Sequence, residues 1–312
     1  MGSPTTHPLH RKVPAALLGS ALLAGCGVSE LFRDPSAEPI RTAVRTTVPL
    51  AYAASVAMAS VDGSPPPNAA STSCSSFPCA ALVTIAVDDL ALPLAFESSG
   101  RGQILVAGLW TSPLTAILTV TFVDMSVGSS SLRVRDVSAF PVLRTPTGLR
   151  IVYAAMDVDV ATGPVDPARL TPMEIDAAFL RLRITPSSDP AVNVGMDAWV
   201  VEVDDAGTPS DFSDDGYVIT GGGQYLDAGS GSGSILQLGM VGARMAPGCA
   251  LNPVGGLAVL QETGASPQRL PVMATAMISF EPECTGTARV LLATGNYLLS
   301  IGSSIPLQLS AR

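Results

Sequence analysis

Short apolar segments separated by turn residues make up most of this chain. After Cys79 these segments are rich in β-branched residues, and each is bounded by Gly, Pro, Ser, Asn or Asp. Such spacing is typical of strands joined by tight turns. The predicted strands cover residues 81–87, 103–110, 114–125, 132–137, 149–157, 180–185, 199–203, 235–240, 257–261, 274–280, 289–293, 297–301 and 305–309.

One uncharged stretch, residues 102–123, also has the length of a membrane-spanning helix. Its 22 residues carry no charge, and about 20 apolar residues suffice to cross a bilayer. However, Thr111-Ser112-Pro113 stands in the middle, and proline is disfavoured inside helices and central strands. We therefore expect a buried hairpin that turns at these residues.

Two segments carry signals for a helix. Residues 48–61 are apolar, which fits either a first strand or a short helix. Residues Thr171-Pro172-Met173-Glu174 place an N-cap hydroxyl, a first-turn proline and a capping-box glutamate in order. This second pattern predicts a short helix over 171–179.

The whole pattern predicts an all-β fold of one or two antiparallel sandwich-like or barrel-like domains with one short helix. An N-terminal β domain is expected over residues 46–205, and a C-terminal β region over 235–312. Residues 206–234 are acidic and then rich in Gly and Ser. They predict a linker or a long loop, because such sequences do not hold one conformation cheaply.

The N-terminal residues have the layout of a secretory signal. Residues 1–12 are polar and end in His10-Arg11-Lys12, residues 13–24 are apolar and uncharged, and Gly25 and Cys26 follow. The apolar stretch is too short to span a membrane as a helix.

Leu23-Ala24-Gly25-Cys26 resembles the lipobox of bacterial lipoproteins. The resemblance implies that residues 1–25 are removed as a signal peptide and that the Cys26 thiol carries acyl chains such as palmitate. Residues 26–45 would then be the lipidated cysteine and its tether, and the partner of the anchor is a lipid bilayer. Gly27 stands where the family's inner-membrane retention signal has Asp, which favours the outer membrane or the cell surface.

The charge balance excludes one class of partner. After residue 26 the chain has 15 arginines against 26 carboxylates and no basic stripe. Binding to nucleic acid depends on neutralising phosphates with basic side chains. We therefore expect no nucleic-acid partner.

The absent residue types exclude most catalytic mechanisms. His7, His10 and Lys12 are the only histidines and the only lysine, and all three precede Cys26. The mature chain therefore lacks the bases of Ser-His-Asp, Cys-His and Ser-Lys catalysis, and it lacks histidine ligands for zinc.

Carboxylate chemistry of the kind that glycosidases use remains available. Two pairs lie on one face of a predicted strand, Asp157 with Asp159 and Glu202 with Asp204; charged strand edges that resist aggregation are the alternative reading. Trp199 alternates in register with Val201 and Val203, so it is expected in the core and not in a sugar site.

Four cysteines follow Cys26, and an even number in an exported chain indicates disulfides. We predict the pairs Cys74–Cys79 and Cys249–Cys284 among three possible pairings. A metal site built from all four cysteines is the alternative, although the C-x2-C spacing of such sites is missing.

Asp211, Ser213 and Asp215 match the front of a calcium loop, with oxygen side chains at alternate positions and Gly216 at the turn. Position 12, where an EF-hand has glutamate, is Gly222. The segment thus resembles short Asp-rich calcium loops of extracellular proteins, and a solvated acidic turn is the alternative. Calcium is the only cofactor that the sequence suggests.

These features predict a lipid-anchored envelope protein with a non-catalytic binding, adhesion or structural role. Its expected partners are the bilayer and an envelope protein or a glycan. The alternative is a carbohydrate-active enzyme that uses paired carboxylates. A concave pocket that holds one of the pairs beside an exposed aromatic side chain would distinguish the two.

Overall fold

The computed structural model describes most of the chain from residue 37 onward. The described residues are 37–72, 74–87, 100–127, 130–137, 139–162, 180–184, 199–227, 235–249, 253–262, 274–284, 287–294 and 297–306. The predicted signal peptide, Cys26, the predicted helix at 171–179 and the Gly-Ser run at 229–234 lie outside them.

The described residues form one antiparallel sheet of 16 strands with a single long helix, α1. The all-β prediction is confirmed. The strands are β1 (Ala69–Ser71), β2 (Cys79–Ala86), β3 (Gly100–Ser112), β4 (Thr115–Val127), β5 (Ser130–Val137), β6 (Phe140–Thr145), β7 (Gly148–Tyr153), β8 (Met156–Thr162), β9 (Leu180–Ile184), β10 (Trp199–Asp204), β11 (Gly216–Asp227), β12 (Ile235–Met245), β13 (Leu257–Glu262), β14 (Ala274–Phe280), β15 (Thr287–Thr294) and β16 (Tyr297–Pro306).

The sheet divides into two branches between β4 and β11. One edge of β4 pairs with β3, while its other edge pairs with β6 along residues 115–118 and with β5 along 126–127. One edge of β11 pairs with β12, and its other edge pairs with β10 along 216–220 and then with β9 along 224–227. The branches are therefore β6–β7–β10 and β5–β8–β9.

Helix α1 (Ala37–Val61) is enclosed by this sheet. It contacts β7 and β10 of one branch, β8 and β9 of the other, and also β1 to β4 and β12. Every residue from Thr46 to Val61 is buried, so this part of the helix has no exposed face. Small side chains let the strands approach closely, and Ala43, Ala51, Ala53, Ala54 and Ala57 are all fully buried.

Two buried hydroxyls of α1 bond to its own backbone, whereas those of Thr42 and Ser60 have no hydrogen-bond partner. The Thr46 hydroxyl donates to the Thr42 carbonyl at 2.9 Å, and the Ser55 hydroxyl donates to the Ala51 carbonyl at 3.1 Å. These bonds satisfy side chains that would otherwise be costly to bury. Pro49 lies inside the helix and has no N–H, so one backbone bond of the ladder is missing there.

The predicted hairpin over residues 102–123 is present. Strands β3 and β4 form it, with Ser112 paired to Thr115 at the turn, but only one of its faces is buried, since Leu109, Leu114 and Ile117 are 44–54% exposed. Strands β15 and β16 form another hairpin, in which Thr294 pairs with Tyr297. The period-2 pattern of β10 buries Trp199, Val201 and Val203, as expected.

Two features of the predicted organisation differ from the structure. Helix α1 begins at Ala37, within the segment predicted to be a tether, because Ile40, Ala43 and Val44 recur at helical spacing and are buried together with residues 48–61. Strand β11 lies within the predicted linker at 206–234 and pairs with both β10 and β12. The two predicted β regions therefore share one sheet.

Both predicted disulfides are present. Cys74 pairs with Cys79, the first residue of β2, with 5.8 Å between their Cα atoms. Cys249 pairs with Cys284, with 4.9 Å between Cα atoms, and joins the segments that follow β12 and β14. Among the helical residues that the structure describes, no helix is long and apolar enough to cross a membrane.

Candidate functional site

The acidic residues between β10 and β11 form a compact loop over one end of the sheet. Residue 205 joins it to the β6–β7 turn, because the Asp205 N–H donates to the Thr147 carbonyl at 3.1 Å. Inside the loop, Asp205 Oδ1 accepts from the Gly207 N–H at 3.0 Å, and the Thr208 hydroxyl lies 2.9 Å from Asp214 Oδ2. Such carboxylate-to-backbone bonds are typical of Asp-rich turns.

The three predicted calcium ligands lie on different sides of this loop. Asp211 Oδ1 accepts from the Ser213 hydroxyl at 2.6 Å and from the Ser213 N–H at 3.0 Å, on the exposed side. These two hydrogen bonds lower the pKa of Asp211. Asp215 instead faces the interior and is only 1% exposed. Within the described ranges, no three His, Cys, Asp or Glu side chains are grouped so that they could hold a metal ion.

Asp215 is an unusual residue, because it is a carboxyl group in the apolar core. Its Oδ2 accepts a hydrogen bond from the buried Tyr217 hydroxyl at 3.5 Å, while its Oδ1 is buried with no hydrogen-bond partner. Burial, followed by the charges of Asp214 and Asp205, raises the pKa of Asp215 to about 7. The Asp215 carboxyl therefore keeps its proton to a higher pH than an aspartate in water does.

Phe212 fixes the loop to α1. Its ring packs edge-on against Tyr52, with 5.6 Å between the ring centroids. Next to it, Arg144 of β6 forms a 2.7 Å ion pair with Asp62, just beyond the end of α1. The loop therefore contacts α1 at Tyr52, and β6 contacts the chain just beyond the end of α1, at Asp62.

A small cavity lies beneath this loop. Its lining consists of Ser55, Arg144, Leu149, Val203, Asp205, Pro209, Phe212 and Asp215. The cavity measures about 10 Å³, which is the space that one water molecule needs. A sugar or another organic ligand does not fit in this volume.

The carboxylate pairs proposed for glycosidase chemistry have different surroundings. Glu202 and Asp204 are exposed on the outer side of β10, and Glu202 lies 3.7 Å from Arg150 in a surface ion pair. The cavity is lined by other carboxylates. Asp157 and Asp159 pair in register with Arg183 and Arg181 on β9, but their side chains lie outside the described part of the structure.

Both tryptophans are buried. The core position expected for Trp199 is confirmed, and its Nε1 donates to Thr47 Oγ1 at 3.2 Å. Trp110 is also fully buried, and its Nε1 has no partner. Among the described residues, all the large apolar side chains that are exposed are aliphatic.

Sequence reasoning missed the burial of Asp215. The available signal was the alternation in 215–219, which places Asp215 on the same side as Tyr217 and Ile219. The structure shows that both of those residues are fully buried. The glycine content of 216–223 concealed this strand.

Comparison of the chain with protein-family models, with curated proteins and with solved structures gives no match.

Proposed function

We propose that this chain is an exported lipoprotein of the bacterial envelope, held at the outer membrane or the cell surface by acyl chains on Cys26. Its role is non-catalytic binding, adhesion or structural support. The observation that carries the proposal is Leu23-Ala24-Gly25-Cys26, placed directly after a basic and then apolar leader. Two or three acyl chains bind a bilayer durably, whereas a single chain does not.

The disulfides support export. Cys74–Cys79 and Cys249–Cys284 account for every cysteine after Cys26. Disulfides persist in oxidising compartments such as the periplasm and the cell surface, and they are rare in the cytosol. Cys26 is then the one cysteine left for acylation.

The non-catalytic role is supported by side-chain chemistry. The chain after residue 26 has neither His nor Lys. The buried Asp215 lines a cavity of about 10 Å³, which has no space for an organic substrate. The Glu202 and Asp204 pair is exposed, and Glu202 faces the guanidinium of Arg150 at 3.7 Å.

The test is acylation in a bacterial host that processes lipoproteins. Cells that express the full chain are grown with labelled palmitate and then fractionated. We expect label on the wild-type protein, a mature amino terminus at residue 26, and recovery in the membrane fraction. In Cys26→Ser all three should be lost, because the thiol that carries the acyl chain is absent.

The matched control removes two other cysteines. The double variant Cys74→Ser/Cys79→Ser keeps Cys26 and should be labelled like the wild-type protein. Palmitate label that persists in Cys26→Ser would overturn the proposal. So would a wild-type protein that is cleaved at another residue and recovered in the soluble fraction.

A further inference from the structure

A group of exposed aliphatic side chains covers one outer face of the sheet. Its members are Leu82, Leu109, Leu114, Ile117 and Leu143, which are 44–54% exposed. We call them the apolar face. The only other large apolar side chain that is comparably exposed among the described residues is Met277 on β14.

The strand registers place these side chains next to one another. Leu109 of β3 pairs directly with Ile117 of β4, and Ile117 pairs with Pro141 of β6. Leu143 pairs with Thr115, two residues before Ile117. Leu114 lies in the turn between β3 and β4, at the edge of the group. Exposed apolar side chains that form a contiguous patch indicate a contact site, whereas scattered ones do not.

The described outward positions between the members of the apolar face carry no charge. The other outward positions of β2, β3, β4 and β6 near it are Ala80, Ala107, Thr115, Thr119, Thr121 and Pro141. Charge occurs at two places on the border, and in both it is paired. Arg150 of β7 pairs in register with Leu143 and forms the ion pair with Glu202, and Arg144 pairs with Asp62 close to Leu114. An uncharged apolar centre with a charged border has the chemistry of a surface that enters a lipid interface.

The chain before α1 is long enough to bring this face to the membrane of the proposed anchor. Ten residues lie between Cys26 and Ala37, and the eleven steps from one Cα atom to the next span at most about 36–40 Å. Leu114 lies near the end of α1, since its carbonyl accepts from the Arg144 N–H and Arg144 pairs with Asp62. Helix α1, with its 25 residues, is about 37 Å long. The extended segment between Cys26 and Ala37 is therefore about as long as α1. It reaches the membrane when Leu114 touches the lipid, and it need not be fully extended when α1 lies parallel to the membrane.

We propose that the apolar face rests on the lipid bilayer that holds the acylated Cys26, with Leu114 at the hairpin turn inserted deepest. The inference rests on the proposed lipid anchor and adds a fixed orientation to it. The acyl chains supply the attachment, and the apolar face determines which side of the sheet meets the lipid. With this orientation, the position of the acidic loop relative to the membrane is also fixed.

The experiment measures the contact of single tryptophans with lipid. The full-length acylated protein is placed in phosphatidylcholine vesicles, with or without bromine on the acyl chains, since bromine quenches nearby tryptophan fluorescence. Leu114→Trp reports on the apolar face, and Met277→Trp is the matched control. The wild-type protein gives the background of Trp110 and Trp199, which are both buried.

We expect bromolipid to reduce the emission added by Leu114→Trp at least two-fold and to leave that added by Met277→Trp unchanged. Equal quenching of both, or of neither, in protein that floats with the vesicles overturns the inference while the anchor stands. Protein that does not float overturns the anchor and, with it, this inference. A third measurement uses Leu114→Trp in detergent without vesicles. If its emission shifts to the blue as the protein concentration rises, a second copy of the chain covers the apolar face, and the inference is overturned.

Discussion

The indole Nε1 of Trp199 donates a 3.2 Å hydrogen bond to the hydroxyl oxygen of Thr47, and so joins the first residue of β10 to the centre of α1. Both residues are fully buried. A hydrogen bond between buried groups contributes to stability mainly because, when one partner is removed, the other stays buried with neither a protein partner nor water to bond to. This bond therefore fixes the position of the helix within the sheet.

Replacing Trp199 with Phe should cost more stability than replacing Trp110 with Phe. Both tryptophans are fully buried, so the two variants lose similar volume, but the Trp110 Nε1 has no partner. We expect Trp199→Phe to be less stable than Trp110→Phe by about 1–2 kcal/mol, because Thr47 loses its donor. Urea denaturation followed by circular dichroism gives the difference. Equal losses would show that the hydrogen bond contributes nothing.

Strand positions could be predicted because one face of most strands is buried and the other is not. β10 shows this well, with Trp199, Val201 and Val203 buried between more exposed neighbours. The same reasoning failed for α1, because a helix that is buried on every side has no polar face and hence no helical period. Residues 48–61 therefore fitted a strand and a helix equally well.

The missed strand β11 shows a second limit of sequence reasoning. Gly221, Gly222 and Gly223 lie where β11 passes from β10 to β9, and glycine is normally unfavourable in a strand. Partners on both edges of β11 overcome that preference, and they cannot be read from local sequence. The position of Asp215 depends on this strand, so its burial was missed for the same reason.

Asp215 should make the protein less stable as the pH rises from about 4 to 7. Its pKa is about 7 in the folded protein and near 4 in an unfolded chain. Over that interval the unfolded chain releases the proton while the native state keeps it, so the free energy of unfolding falls with pH and levels off above 7. The total is at most about 4 kcal/mol, since each pKa unit corresponds to about 1.4 kcal/mol.

Asp215→Asn isolates this effect, because the amide is close in size and stays neutral. The stability difference between Asp215→Asn and the wild-type protein should grow in favour of the variant from pH 4 to pH 8. Asp211→Asn is the control of opposite sign, since hydrogen bonds from Ser213 lower the pKa of Asp211. Relative to the wild-type protein, Asp211→Asn should become less stable as the pH rises through the acid range in which the wild-type Asp211 carboxyl ionises, and the difference should stay constant above about pH 4. A pH-independent difference for Asp215→Asn would contradict the assignment.

Calcium binding at Asp211, Ser213 and Asp215 stays a prediction, and the burial of Asp215 gives it a pH dependence. A cation that binds Asp215 must displace its proton, so binding should be stronger at pH 8 than at pH 6. With the affinity of extracellular modules, about 0.1–1 mM, saturation at 100 times the dissociation constant adds about 2.7 kcal/mol. Thermal melts with and without calcium measure the shift.

Three variants test whether calcium binds in the loop or only to exposed carboxylates in general. Asp211→Asn and Asp215→Asn should each lose the calcium-dependent rise in melting temperature. Glu202→Gln removes an exposed carboxylate outside the loop and should keep it. A melting temperature that calcium leaves unchanged, or a shift that survives in both loop variants, would show that the loop is a solvated turn.

The disulfide Cys249–Cys284 should contribute more stability than Cys74–Cys79, because it closes a longer loop. The bonded residues are 35 positions apart in the first pair and 5 in the second. In the chain-entropy model these separations correspond to about 3–4 and about 2 kcal/mol. We therefore expect Cys249→Ala/Cys284→Ala to lower the urea midpoint further than Cys74→Ala/Cys79→Ala.

Alanine is the appropriate replacement, because Cys249 is 7% exposed and a serine hydroxyl there would be buried without a known partner. Peptide mapping without reduction verifies that the remaining pair is oxidised in each variant. Equal midpoints, or the opposite order, would mean that the segments after β12 and β14 are already held together by the sheet, so that the longer crosslink restricts little of the unfolded chain.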